Sequence, residues 1–237
     1  MAEKADKENF LAVFPQGIAE DPSRQVNVTE ERGKNRNFRT WSDGSEVTDS
    51  SKKGTDDVAF IGAILDDLDR KYDIDAGRIY ATGFSNGATM SFMLGVKLSD
   101  RIAAIAPIAG LLYAREPPEN PVSLISILGS EDRPPEEKKM MLVKKSYAAS
   151  YLNNPVSVWS GYLNCADEQR EEDENVLVIN FGLCIPGTHV TSYIVKGMGH
   201  VFPGKANFFA GDPEVGNKVN AVDISWEFFG KHAKMIN

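Results

Sequence analysis

An α/β fold, a mostly parallel sheet with helices on both faces, is predicted by three features of this sequence. Short apolar runs alternate along the chain with stretches of helical periodicity. The apolar runs are largely continuous, as strands buried on both faces require. The length, 237 residues, suits one α/β domain with a full core, and no repeat or linker divides it, so 1–237 is read as a single domain.

Taken in order, Ala2 to Asn9 is mostly charged and reads as the end of a surface helix. Phe10-Leu11-Ala12-Val13-Phe14, closed by Pro15, reads as a buried parallel strand. Glu20 to Asp49 is polar and long for a connection, and loops of that length are often functional. Trp41 within it reads either as a plug on the core or as a wall of a substrate site. Thr55 can cap a helix beginning at Asp56-Asp57, with acidic residues at its positive end. Val58, Ile61, Leu65 and Leu68 recur at helical spacing and form its apolar face. Arg78 to Thr82 is a short strand, and a helix opens near Ala88. Ile102 to Pro107 and Val122 to Leu128 are two further buried strands, the second ending at Gly129. Glu136 to Tyr151 reads as helix, Asp167 to Glu174 as a solvated acidic loop, and His189 to Val195 as a strand. Val222, Trp226 and Phe229 give the last helix a buried stripe.

The net charge of −8, with no basic cluster, argues against nucleic acid as a partner. No apolar run approaches the roughly 20 residues that span a bilayer, so no membrane partner is expected. The first eight residues are too charged for the core of a signal peptide. The histidines and acids lack metal-ligand spacing, and no cofactor is expected.

The stretch that organises the chain is Gly83-Phe84-Ser85-Asn86-Gly87, a G-x-S-x-G segment between a strand and a helix. Two glycines without Cβ atoms let the chain reverse and let strand and helix approach. Such a turn pushes the Ser85 hydroxyl beyond the strand end. It also leaves the Asn86 backbone N–H at a helix N-terminus, where unpaired N–H groups favour a developing oxyanion.

A serine hydroxyl needs a base to become a nucleophile. Of the three histidines, His189 opens a strand and His232 lies in a polar C-terminal helix. His200 stands in the glycine-bracketed loop Gly197-Met198-Gly199-His200-Val201-Phe202-Pro203-Gly204, directly after a strand, where open α/β sheets carry their chemistry. An acid should follow another strand end between Ser85 and His200. Asp132 is the first candidate and Glu131 the second. The order Ser85, Asp132, His200 is that of the α/β-hydrolase architecture.

Arg78 to Gly87 followed by Ala103-Ala104-Ile105-Ala106-Pro107-Ile108-Ala109-Gly110 resembles the polyhydroxybutyrate-depolymerase-like esterases, which include feruloyl and acetylxylan esterases. Gly199 to Gly204 resembles the family's Gly-His-x-Trp-Pro-Gly loop, with Phe202 in place of the Trp. Gly129-Ser130-Glu131-Asp132 resembles its acid-bearing Gly-Thr-x-Asp segment, and Leu128 stands where the family usually has His. The resemblance runs from about Phe10 to the C-terminus. It implies a secreted α/β-hydrolase that cleaves carboxylic esters of polyhydroxyalkanoate, or feruloyl or acetyl esters on plant polysaccharide, through an acyl-enzyme. Trp41 and Phe202 are the candidate aromatic walls of its site.

Cys165 and Cys184 resemble a family pair expected to be bridged, although from the residues alone two buried free thiols are a fair alternative. The family normally has further strands and a His-Gly loop before the Phe10 strand, and that loop supplies a second oxyanion donor. The resemblance therefore implies an N-terminally truncated sheet and half an oxyanion hole. Two other functions are left open, a non-catalytic carbohydrate-binding or interaction protein of the same fold and, ranked last, a peptidase on the same scaffold.

Overall fold

The computed structural model describes residues 1–19, 21, 39–46, 48–132, 155–204 and 219–234. The helix expected over Glu136 to Tyr151, and most of the loop from Glu20, lie outside the described residues. Helix α1 (Ala2–Glu8) is followed by a small antiparallel pair, β1 (Ile18–Ala19) and β2 (Arg39–Thr40), then by α2 (Asp49–Lys52) and α3 (Asp57–Lys71). The main body continues as β3 (Tyr80–Phe84), α4 (Asn86–Lys97), β4 (Ala104–Ile108), β5 (Ser123–Gly129), α5 (Pro155–Tyr162), β6 (Asp167–Glu172), β7 (Val176–Gly182), β8 (Val190–Val195) and α6 (Ala221–Phe229).

Six strands form one sheet in the order β3-β4-β5-β8-β7-β6. The contacts β3·β4, β4·β5 and β5·β8 are parallel, and β7 and β6 add an antiparallel edge. Period-two alternation sends the strand side chains to two separate cores. On one face Ile105, Leu124 and Val190 pack with Met90, Phe92 and Leu94 of α4 and with Trp159 of α5. On the other, Ala104, Ala106 and Ile125 meet Phe228 and Phe229 of α6. Trp159 is fully buried and donates its indole N–H to Val122 O at 2.8 Å, so its one polar atom is satisfied. Gly95 lets α4 sit close: a Cβ there would stand 3.1 Å from both Ile105 and Trp159.

Three local expectations change. Phe10 to Phe14 forms no strand, and Leu11, Val13 and Phe14 are exposed. Apolar composition does not make a strand without a neighbour to complete the hydrogen-bond ladder, and among the described residues β3 pairs only with β4. Phe10 alone is absorbed, stacked on Trp226 with centroids 3.9 Å apart. The acidic stretch from Asp167 is a strand, β6, because its backbone pairs with β7 while its carboxylates face water. Charged side chains on an outer strand also deter further pairing. The cap of α3 is Asp56, whose carboxylate accepts from Ala59 N at 2.9 Å, rather than Thr55.

Cys165 and Cys184 are joined in a disulfide across 19 residues. No helix among the described residues is long and apolar enough to cross a membrane.

Candidate active site

The site lies where the parallel strands end. β3 delivers Phe84, and the chain turns at Ser85, which has φ 56° and ψ −120°, a conformation that L-residues rarely adopt. Ser85 N donates to Ile108 O at 3.0 Å, and Ala88 N and Thr89 N both donate to Ser85 O at 3.0 Å, so the turn is held from both sides. Gly83 permits it: a Cβ there would stand 2.4 Å from the Gly87 carbonyl. Gly87 has open space around the same position, so of the two motif glycines only Gly83 is required by close approach. Asn86 is the first helical residue of α4, where an N–H has no intrahelical acceptor.

β5 and β8 bring the other two residues. His200 Nε2 lies 2.8 Å from Ser85 Oγ, and His200 Nδ1 lies 2.9 Å from Asp132 Oδ1. The loops that carry them are stitched together. Ser130 N donates to Val195 O, Glu131 N to Met198 O and Asp132 N to Gly129 O, while Gly197 N donates to Ser130 Oγ. Gly129 makes the approach possible, since a Cβ would overlap Met198 O. Asp132 is mostly shielded, with 14% side-chain exposure, whereas the His200 ring is open at 47%. That asymmetry suits an orienting carboxylate behind an imidazole that meets solvent and ligand.

The Phe84 ring lies 4.9 Å from the His200 ring and 6.1 Å from Phe202, which meets it edge-on. Phe202 is half-buried against the cluster of Ile108, Ile127 and Met198, so it backs the His200 loop. Trp41 is also half-buried, packed on the core, and its backbone reaches the side chain of Asn86. His189 and His232 lie away from the site, with their rings 6.2 Å apart beside α6. Among the described residues no cluster of His, Cys, Asp or Glu could hold a metal ion.

Sequence reasoning missed three contributors. Asp57, buried at the start of α3, accepts from Ser42 N at 2.6 Å, and Asp43, also buried, accepts from Asn86 Nδ2 at 2.5 Å. Ser130 ties the acid loop to the histidine loop. The signal for Asp43 was the dense Ser, Asp and Gly run after Trp41, which composition marks only as a loop, whereas Asp57 reads from the sequence only as the start of a helix.

No family model matches the chain. It is 23% identical over 198 residues to a bifunctional acetylxylan esterase/xylanase, XynS20E, of Neocallimastix patriciarum, covering 83% of this chain and 25% of that protein. It is 27% identical over 172 residues to feruloyl esterase B of Piromyces equi, covering 68% of this chain and 31% of that protein. The chain thus spans about a quarter to a third of the length of these two relatives. Among solved structures, acetyl xylan esterase from Aspergillus awamori superposes with a TM-score of 0.54 at 15% identity, over 84% of this chain and 75% of that one, a likeness of fold. With poly(3-hydroxyalkanoate) depolymerase C of Paucimonas lemoignei, 30% identical over 105 residues that cover 44% of this chain and 21% of that protein, these relatives are of the family that the motifs resemble, the polyhydroxybutyrate-depolymerase-like, feruloyl and acetylxylan esterases.

Proposed function

We propose that this chain hydrolyses carboxylic esters by a serine mechanism. The observation that carries the reading is the unbroken relay from Asp132 through His200 to Ser85, with both contacts under 3 Å. Ser85 Oγ attacks the ester carbonyl carbon while His200 Nε2 takes its proton. The C–O bond to the alcohol then breaks, and His200 returns the proton to the leaving oxygen. Water repeats the cycle on the acyl-enzyme and frees the acid. Asp132 accepts from Nδ1–H, which fixes the tautomer and stabilises the imidazolium. The Asn86 N–H and the N-terminal end of α4 stabilise the oxyanion.

Two backbone amides of the facing loop are committed elsewhere, Trp41 N to the Asn86 side chain and Ser42 N to Asp57. With one donor identified among the described residues, turnover is modest, since each oxyanion donor is worth about 10²–10³ in rate. The substrates are the esters of the matched relatives: acetyl or feruloyl groups on plant polysaccharide, or a polyhydroxyalkanoate. Trp41 and Phe202 serve as aromatic walls, and the disulfide accords with an oxidising, extracellular setting.

The test is hydrolysis of p-nitrophenyl acetate by the native chain and by Ser85→Ala. A drop of about 10³-fold or more in kcat supports the reading. Equal rates would remove it.

A further inference from the structure

The Asn86 side chain has an arrangement that neither the G-x-S-x-G motif nor the relay requires. Its Oδ1 accepts from Trp41 N at 2.7 Å, and its Nδ2 donates to Trp41 O at 3.3 Å and to Asp43 Oδ2 at 2.5 Å. The amide orientation is thereby fixed from two sides, because Trp41 N–H needs an oxygen and the Asp43 carboxylate needs an N–H. Asp43 is only 4% exposed, and its other oxygen accepts from Ser45 N at 3.0 Å. The hydrogen bonds described for this buried carboxylate therefore come from neutral donors, a costly arrangement for a charge. Its field is felt nearby: burial first, and then the Asp43 charge, push the Tyr113 hydroxyl up to about 12.

The segment 41–45 has no helix or strand of its own, yet it abuts the residue after Ser85. Its backbone is held by side chains instead: Trp41 N and O by Asn86, Trp41 O also by the Thr48 hydroxyl, and Ser42 N by Asp57. A polar network that is fully satisfied and buried rigidifies what it holds.

We propose that Asn86 and Asp43 form a clamp that positions the Trp41 segment beside Ser85 and so sets how large an ester the site accepts. The inference rests on the serine-esterase reading. Asn86 then has two separable roles, a backbone N–H for the oxyanion and a side-chain amide for the neighbouring wall. Asp43 is a positioning residue that acts through Asn86.

The experiment compares kcat/KM for p-nitrophenyl acetate and p-nitrophenyl hexanoate in the native chain, Asn86→Asp, and the exchanged double variant Asp43→Asn with Asn86→Asp. Asn86→Asp sets two carboxylates against each other and opens the clamp, while an acid in the first turn of α4 suits the helix end. The exchange restores an N–H to carboxylate pair and leaves the Trp41 N–H an acceptor, while Trp41 O loses the Asn86 donor and keeps the Thr48 hydroxyl. The expected result is a shift of the acetate-to-hexanoate ratio by about tenfold toward hexanoate in Asn86→Asp, and a return to within about threefold of native in the double variant. A ratio that stays within twofold of native in Asn86→Asp overturns the clamp, whatever the absolute rate. So does a shifted ratio that the exchange leaves uncorrected. Should Asn86→Asp fail to fold, Asp43→Asn alone is read in the same way, since it weakens the same contact while keeping the planar shape of the carboxylate. Loss of the serine reading would show separately, as native activity that survives Ser85→Ala.

Discussion

Ser85 occupies a backbone conformation that costs free energy, and the residues around it show how that cost is borne. Gly83 yields the space that the Gly87 carbonyl needs, and three backbone hydrogen bonds hold the turn. The two glycines of the motif should therefore respond differently. Gly83→Ala forces a backbone shift and is expected to destabilise by roughly 2 kcal/mol or more. Gly87→Ala fills open space at a helical position and should leave stability equal or raise it by up to about 1 kcal/mol. Urea unfolding of both variants reads the difference. At the relay, His200→Gln should lower ester turnover by about 10³-fold or more and Asp132→Asn by about 10³–10⁴-fold, without loss of fold. That Ser85, Asp132 and His200 meet could be read from the sequence, because each stands at a strand end inside a short glycine-marked loop. The Asn86–Asp43 contact could not, since it joins positions 43 residues apart through side chains that also suit any surface turn.

At the scale of elements, regular patterns were legible and cooperative ones were not. The strands at 80, 104 and 123 follow from apolar runs, and the strand at 190 from alternation of polar and apolar residues. The run from Phe10 carries the same signal, but a strand needs a pairing edge as well as apolar side chains, and only the folded sheet reveals which edges are available. The acidic β6 is the converse, a polar sequence recruited by its neighbour β7. The start of α3 shows how two adjacent aspartates divide their work. Asp56 is exposed and caps the helix, whereas Asp57 is buried and holds Ser42 N. Asp56→Ala should cost about 1 kcal/mol. Asp57→Ala should cost more, roughly 1–3 kcal/mol, because it strands a partly buried donor. Denaturant midpoints at constant slope provide the check.

Across the whole molecule, one face of the sheet is covered by α4 and α5, the other by α6, and the chemistry gathers along the edge where the parallel strands end. The disulfide closes a loop of about 20 residues that contains β6 and β7, for which the chain-entropy model gives about 3 kcal/mol. Cys165→Ser with Cys184→Ser should lower unfolding stability by about that amount, and reduction of the native chain should match the double variant. Stability should also depend on pH through His232. Burial holds its pKa below the ordinary imidazole value, although Phe228 O accepts from Nδ1 at 2.7 Å, and His189 and Lys231 repel its charge further. As pH falls below the ordinary imidazole range, the unfolded chain binds the proton first, so stability is full above that range and declines below it. Between about pH 7.5 and 5.5, His232→Gln should lose less stability than the native chain. An equal loss would assign the effect to other groups.

The central claim is that His200, held by Asp132, makes the Ser85 hydroxyl a nucleophile. A fluorophosphonate that reports activated serines, followed by peptide mass spectrometry, tests it without a choice of substrate. The account predicts one adduct, on Ser85, that disappears in His200→Gln. No adduct on Ser85, or an adduct that forms equally well without the imidazole, would contradict it.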